Sequence, residues 1–518
     1  MKKLLAIIIV LVMLLTIISG CSGGKKSDNK NDSINQTEQA AKEPTKILWA
    51  AGGSGSNIPS KDGIVVKALE EKFNVDISYF GSTFVDNKEQ FTIKIGSGEI
   101  PDVWYDWNTD TWWEQGILRT VMEELIKQYM PKTYGDIFLK LDPKKMAFSV
   151  RKTEDGDLKG IPQLSLAGAS YFIRVYRQDW LDKFNLKVPT TVEELENVIK
   201  VFTKDDPDGN DKNDTYGVNV QSNMVGFSDV FGTFGIAPGI WVLKNDKVVF
   251  SDTTNEYKEA LKILARWYAD GYINPECLTD SFETFTSKFA DGKIGSYYQN
   301  WYWASSDQTN TPVSMLLKKD LNAKVVYGDA IKGPNGEAGS YGFGPDLGWT
   351  VQFRKGLSDE VVIKVMQIIE YLSTDIEGFK LHHGGIEDKT YIIEDGMIKN
   401  NLLPEEKIKE GIDVFPFFTG EKFKDLYWGT GESGKLFDLG TKQPWITNVI
   451  GRSPLVKARE KGIGTDIGKV REEFYWNVIT GKVNADTEWD AYQKRLNDNG
   501  LQEMTEEANE IYDSVYRK

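Results

Sequence analysis

Between residues 45 and 105 the patterning switches repeatedly between strand and helix, and this order restricts the fold more than any other feature of the chain. Thr45-Lys46-Ile47-Leu48-Trp49-Ala50 reads as a strand, followed by a Gly/Ser stretch from Gly52 to Ser56. From Ile64 to Phe73 the apolar residues recur at helical spacing. Asn74 to Tyr79 alternates as a second strand. A helix through Phe91, Ile93 and Ile95 ends at Gly96 to Gly98, and Pro101 to Tyr105 is a third strand. A β-α-β-α-β order predicts a parallel sheet, with ligands bound beyond the carboxyl ends of its strands.

The chain opens Met1-Lys2-Lys3 and is apolar from Leu4 to Ile18 except at Thr16. Two lysines, a short apolar core and small residues match a secretory signal over 1–20. The apolar run is short of the roughly 20 residues that a membrane-spanning helix needs. It ends Ile18-Ser19-Gly20-Cys21, which resembles the bacterial lipobox. That resemblance implies cleavage before Cys21 and acylation of its thiol with palmitate-type chains. An ordinary cleaved signal and an uncleaved anchor are the alternatives. Two acyl chains would hold firmly, since each buried methylene contributes about 0.8 kcal/mol. Residues 21–45 are almost devoid of apolar side chains and are expected to form a disordered tether.

More than 470 of the 518 residues remain, too many for one hydrophobic core, so two lobes are expected. A formal net charge of -15 argues against nucleic acid as a partner. Of the two cysteines, Cys21 would carry lipid, leaving Cys277 as a half-buried packing residue without a disulfide partner. The two histidines are the adjacent pair His382-His383, which speaks against His/Cys zinc sites and Ser-His-Asp or Cys-His catalysis. Fifteen tryptophans and 22 tyrosines are more than core packing accounts for in an acidic, non-membrane body.

Several ordered segments carry a family resemblance. Gly98-Glu99-Ile100-Pro101-Asp102-Val103 resembles the G-x-x-P-D-v signature of extracellular solute-binding proteins, the capture subunits of ABC importers. Arg177 to Leu186 resembles the family's R-k-D-W-L-d-k-l-g-l block, with Asn185 where glycine is usual; asparagine tolerates positive φ. Pro189-Thr190-Thr191-Val192-Glu193-Glu194 resembles its P-T-T-w-d-E helix start, where Thr191 caps and Glu194 completes a capping box. Trp267 to Glu276, Gly292-Lys293-Ile294-Gly295, Gly333-Pro334-Asn335-Gly336 and Thr480-Gly481-Lys482 with Trp489, Tyr492 and Gly500-Leu501 follow in family order. The set is similar to the carbohydrate branch, near the LplA-like lipoproteins and the alginate-binding proteins.

The resemblance implies an α/β, two-lobed, type II periplasmic-binding-protein-like fold with a hinge and an interlobe cleft. It implies an N-lobe of 46–165 and 346–444 and a C-lobe of 168–345 and 445–518, crossed near 166, 345 and 445. It further implies a lipid-anchored monomer on the outer face of a plasma membrane, in a Gram-positive-type cell. That protein would capture an oligosaccharide and deliver it to the permease subunits of an ABC importer.

Three constellations carry candidate chemistry. Side-chain oxygens of Asp206, Asp208, Asn210 and Asp214, with the Lys212 carbonyl, fall at positions 1, 3, 5, 9 and 7 of an EF-hand-like loop, pointing to a structural calcium. Asp211 at position 6 and Gly217 at position 12 depart from that pattern. In the similar loop of the alginate-binding proteins the residue after the last aspartate completes the set, and here it is Thr215. The alternative is an Asp/Asn/Gly-rich turn. Aromatic and polar residues then cluster at strand ends: Tyr105, Asp106 and Trp107 in one lobe, and Asn300, Trp301 and Trp303 in the other, with Trp241 and Trp349 as further candidates. Sugar rings stack their C–H faces on such rings while their hydroxyls need polar partners. Trp112, Trp113 and Trp476 sit in helical patterns and read as core. Last come Gln163, Ser165, Arg174 and Glu387: Arg174 would bond a hydroxyl or uronate or else pair with a lobe carboxylate, and Glu387 would accept hydroxyl protons or lie on the surface. A secreted, lipid-anchored glycoside hydrolase is the competing function, since such an enzyme also shows aromatics and paired carboxylates. Histidine poverty disfavours a peptide or metal-chelate receptor.

Overall fold

The alternation at residues 45–105 builds the parallel sheet that it predicts. In the computed structural model β1 (Thr45–Trp49) pairs in parallel with β2 (Val75–Tyr79) and with β3 (Val103–Asp106). The helix Ile64–Phe73 buries Val65, Val66 and Leu69 and ends on Asn74 in the left-handed region, φ 50. Asn74 therefore closes the helix rather than opening the strand. The structure describes residues 43–517 apart from 53–56, 85–86, 167–169, 221–223 and 454. The expected signal, Cys21 and nearly all of the tether lie outside the described residues.

The remaining strands are β4 (Ile161–Leu164), β5 (Ser170–Arg177), β6 (Tyr216–Val218), β7 (Trp241–Lys244), β8 (Lys247–Phe250), β9 (Ile294–Asn300), β10 (Val325–Gly328), β11 (Ser340–Phe343), β12 (Asp346–Phe353), β13 (Tyr391–Glu394), β14 (Met397–Asn400) and β15 (Trp445–Ile446). One sheet has the order β2-β1-β3-β12-β4. A second has the order β15-β11-β5-β9-β6, with β10 also pairing β5. The pairs β7-β8 and β13-β14 are separate hairpins. Each large sheet has its own core. Ile47, Trp49, Val103, Val351 and Phe353 pack with Val362, Val365, Ile369 and Leu372 of the helix Asp359–Thr374. On the second sheet Tyr176 packs with Leu195, Ile199 and Trp267, while Ile173, Val175 and Tyr297 belong to another cluster. Two sheets with separate cores make the two-lobed α/β fold expected for this size. Among the described residues no helix is long and apolar enough to cross a membrane.

The chain passes between the sheets at three places that are hydrogen-bonded together. Ser165 N donates to Pro345 O at 3.1 Å and Leu166 N to Thr419 O at 2.6 Å. Thr419 N donates to Ser165 Oγ at 3.2 Å. The third passage thus lies near 419, whereas the sequence placed it near 445. The cause is packing: Trp428, Leu436 and Phe437, on the helices Lys424–Trp428 and Glu432–Lys442, join Ile173 and Val175 of the second sheet. Gly440 permits this, because a Cβ there would meet Tyr171 Cβ at 2.5 Å.

Local expectations fare well. Asn185 takes φ 52. Thr191 Oγ1 accepts from Glu194 N at 3.2 Å. The Glu194 carboxylate, however, bonds Thr190 N and Oγ1, each at 2.8 Å, one residue short of a capping box. The backbone at Lys332 bonds to Thr190 and Val192 and so flanks the cap. Cys277 is fully buried rather than half-buried, and burial pushes its thiol up to about 12.

Candidate ligand-binding site

At the carboxyl end of β3, Asp106 is fully buried. It accepts hydrogen bonds from Trp112 Nε1 at 2.8 Å, Gln352 Nε2 at 2.8 Å and Asn108 N at 2.7 Å. Burial pushes its pKa up, opposed by these donors. The carboxylate predicted as a sugar ligand is therefore a strut that fixes the strand end and the helix Thr109–Glu114 behind it. The next residue, Trp107, is 51% exposed. Its ring stands edge-on to Trp349 at 4.7 Å and to Phe84 at 4.8 Å. Tyr105 tilts against Trp349 at 5.3 Å. Trp349 is on β12, which pairs with β3 through Thr350 and Asp106. Three aromatics predicted from distant segments thus form one platform. Phe84, which joins it, lies in a stretch with no periodic signal.

At the carboxyl end of β9, Asn300 Oδ1 accepts from Tyr302 N at 2.9 Å and caps the short helix Trp301–Ala304. This turn drives Trp301 into the core, 3% exposed, with edges against Trp428 at 5.5 Å and Phe437 at 5.6 Å. Tyr302, not singled out from sequence, is exposed, although it lay inside the predicted aromatic cluster. Trp303 is half-buried against Phe282 at 4.5 Å. Asn300, Tyr302 and Gln308 line one side of a cavity of ≈ 570 Å³, and His383, Asn400 and Tyr427 line the other.

The cavity wall holds a charge cluster whose one trace in the sequence is the pair His382-His383. His383 Nδ1 lies 2.6 Å from Asp413 Oδ1, and Lys407 Nζ lies 2.5 Å from Asp413 Oδ2. Burial opposes ionisation of Asp413, but these partners hold it well below the usual carboxylate range. His382 is buried, and burial lowers its pKa to about 3, so it stays neutral. The His383 ring packs between Phe379 at 4.3 Å, Phe417 at 4.5 Å and Tyr427 at 5.0 Å. His382, His383 and Asp413 come close enough to share a metal, but Lys407 already neutralises Asp413.

Other candidates lie elsewhere. Arg174 is buried in a two-bond ion pair with Asp229, at 2.6 and 2.9 Å, and donates to Ser296 Oγ at 3.2 Å. It takes the lobe-carboxylate alternative. Trp241 is 3% exposed, packed on Phe250 at 5.1 Å across its hairpin, and belongs to the core. Glu387 is exposed and held by Lys380 at 3.2 Å and Tyr391 Oη at 3.1 Å. Gln163 Nε2 reaches Phe417 O at 3.4 Å, and Ser165 belongs to the passage between sheets. A second cavity of ≈ 390 Å³ lies along that passage, lined by Leu164, Pro345, Asn448 and Tyr516 among others.

The acidic loop at 206–214 folds back on itself. Asn210 Nδ2 donates to Asp208 Oδ2 at 2.8 Å and Asp214 Oδ1 at 3.1 Å. Burial, a hydrogen bond shared with Asp206 and the charge of Asp214 push Asp208 upward. Asp206 is instead held down, against burial, by the backbone N–H groups of Asp211 and Asn210, and Asp214 is held down by Lys293 and Asn210. The gathered carboxylate oxygens are the donor type that calcium takes, so the donor set fits it. Lys293 Nζ, 2.5 Å from Asp214 and 3.8 Å from Asp208, neutralises part of the charge. Both departures from the EF-hand pattern have reasons. Asp211 adopts φ 59, the left-handed conformation that glycine usually supplies. A Cβ at Gly217 would lie 2.3 Å from Ile199 O, which leaves no room for a glutamate. Thr215 Oγ1 donates to Phe202 O at 2.9 Å, so its hydroxyl is turned to the helix.

Comparison with known proteins agrees with this architecture. Residues 65–375 match the family described as bacterial extracellular solute-binding protein. The chain is 22% identical over 531 aligned residues to the polygalacturonan/rhamnogalacturonan-binding protein YtcQ of Bacillus subtilis, covering 99% of both chains. Among solved structures it is similar to an EF-hand mutant of the Streptococcus pneumoniae substrate-binding protein FusA in complex with fructo-nystose. There the TM-score is 0.68 at 20% identity, covering 91% of this chain and 99% of that one. The alginate-binding protein AlgQ2 without calcium ion gives a TM-score of 0.64 at 20% identity, covering 91% and 98%.

Proposed function

The chain belongs to the bacterial extracellular solute-binding proteins, and from that premise we propose that its two lobes capture an oligosaccharide and hand it to the permease subunits of an ABC importer. The observation that carries this reading is Trp107, half-exposed at a strand end and held edge-on by Trp349 and Phe84. An exposed indole face fixed in this way suits the C–H face of a sugar ring. Tyr302 and Tyr427 offer further rings beside the amides of Asn300, Gln308 and Asn400, which suit hydroxyls. The sugars named for the relatives support the same reading.

The bonded passages at 165–166, 345 and 419 serve as the hinge on which the lobes close. One lobe comprises 44–164 and 346–418, the other 170–343 and 420–517. Capture occurs without chemistry, in contrast to the hydrolase alternative. Asp413, the carboxylate among the described residues of the cavity wall, has both oxygens bonded, and the named relatives are binding proteins. Sugar release on prolonged incubation with an oligosaccharide would favour the hydrolase instead. The body acts as a monomer, anchored by lipid on Cys21 to the outer face of the plasma membrane in a Gram-positive-type cell. Cys21→Ala should move the protein from the membrane fraction to the medium.

A structural calcium sits in the loop on Asp206, Asp208, Asn210, Asp214 and the Lys212 carbonyl. Titration of EDTA-stripped protein with calcium should release heat and raise the melting temperature; no heat and no rise overturns the assignment. For the main reading the test is a thermal-shift panel of oligosaccharides. A ligand at 100 times its Kd adds about 2.7 kcal/mol, a clear shift. A shift with peptides and none with any sugar contradicts sugar capture.

A further inference from the structure

We infer that the oligosaccharide bound here is uncharged and that Asp413 is the residue that makes it so, an inference that rests on the sugar-capture reading above. A uronate leaving water for a cleft needs a cation to replace its hydration, because an unpaired carboxylate is strongly disfavoured once buried. Among the described residues of the ≈ 570 Å³ cavity the one lysine or arginine is Lys407. Its ammonium is 2.5 Å from Asp413 Oδ2, while Asp413 Oδ1 is bonded to His383 Nδ1 at 2.6 Å. The one carboxylate of the wall therefore cancels its one lysine, and the cavity is electrically closed to an acidic sugar. Two lysines on neighbouring elements are paired in the same way, Lys399 with Glu394 at 2.5 Å and Lys380 with Glu387 at 3.2 Å.

The rest of the polar lining is amide and phenol. Asn400 is fixed within the wall. Its Nδ2 donates to His383 O at 2.6 Å, which fixes the side chain. Its Oδ1 is buried and meets no protein donor. The neutral amides and phenols of this wall can pair with sugar hydroxyls, which both donate and accept, and bring no charge to offset a carboxylate. Asp413 thus acts as a specificity-determining residue: it keeps a cationic wall from forming in a scaffold that otherwise has the lysine for one.

The test is calorimetric titration of the complete protein with two panels. One is neutral (fructo-, xylo- and galacto-oligosaccharides), the other acidic (oligogalacturonates and alginate oligomers). A neutral member should bind at least about tenfold more tightly than any acidic one. Its Kd should stay constant from low salt to about 0.5 M, because no ion pair forms across the interface. Asp413→Asn leaves Lys407 unpaired and should tighten binding of acidic oligomers about tenfold, with a salt dependence the wild type lacks. An acidic oligomer as the tightest wild-type ligand overturns the inference while leaving sugar capture intact. So does an Asp413→Asn protein that still binds neutral sugar but gains nothing for acidic ones. Binding of neither panel breaks the sugar-capture reading itself. Should Asp413→Asn fail to fold, the wild-type ranking and its salt response decide.

Discussion

The ends of β3 and β9 carry nearly the same residues and use them in opposite ways. Each strand runs from a tyrosine through polar residues into tryptophan: Tyr105-Asp106-Trp107, and Tyr298-Gln299-Asn300-Trp301 with one polar residue more. After β3 the polar residue is swallowed and the tryptophan stands out. Asp106 takes donors from Trp112, Gln352 and Asn108, and Trp107 is left half-exposed. After β9 the polar residue caps a helix, and its first turn rotates Trp301 inward while presenting Tyr302. A strand end rich in aromatics therefore marks where a ligand can sit. Which ring meets it depends on how the chain leaves the strand.

The largest expected effect breaks this symmetry by stability. Trp301→Ala should lower the free energy of unfolding by about 3–5 kcal/mol, as emptying a tryptophan-sized core site does. Trp107→Ala should cost less than about 1 kcal/mol, since half of that ring is already in water. Urea unfolding of both variants reads the difference; equal losses would erase the distinction. Arg174→Met should fall in the upper range too, about 3–5 kcal/mol, because it strands Asp229 in the core. Sugar affinity of the folded protein should then change little, and a large loss of affinity would return Arg174 to the site.

Next come the polar residues. Asp106→Ala leaves three donors without an acceptor and should cost about 2–3 kcal/mol, against about 1 kcal/mol for removing the Asn300 cap. The pH response separates them further. Burial raises the Asp106 pKa above its unfolded value. A raised acid adds stability that is complete below the unfolded pKa and is lost as pH rises through the folded one. Stability should therefore decline with rising pH across that window, and Asp106→Asn should abolish the decline. An unchanged slope in the variant would show that another group titrates there.

What the sequence made legible follows the same division between local and tertiary causes. The helix at 64–73, the strands around it, the Thr191 cap and the left-handed Asn185 depend on neighbouring residues, and these came out as read. The meeting of Tyr105, Trp107 and Trp349 was legible in part, because strand ends could be placed without knowing that β12 lies beside β3. The fates of Trp241, Trp301 and Arg174 were not legible. Each depends on a partner far along the chain or on one turn of backbone: Phe250, the cap at Asn300, and Asp229. The passage near 419 was missed for a related reason. The helix Glu432–Lys442 has an apolar face that would suit either sheet, and the gap at Gly440 beside Tyr171 decides between them. His383 meets Lys407 and Asp413 from a separate segment, and the paired histidines gave the one visible hint.

The central claim is that an oligosaccharide is held against Trp107, and a fluorescence titration addresses it most directly. Wild type and Trp107→Phe are each taken to saturation with a sugar that raises the melting temperature. The account predicts that the emission change seen in wild type is mostly lost in Trp107→Phe, with affinity weakened by severalfold and the unfolding midpoint nearly unchanged. The same emission change and the same affinity in both proteins would contradict it.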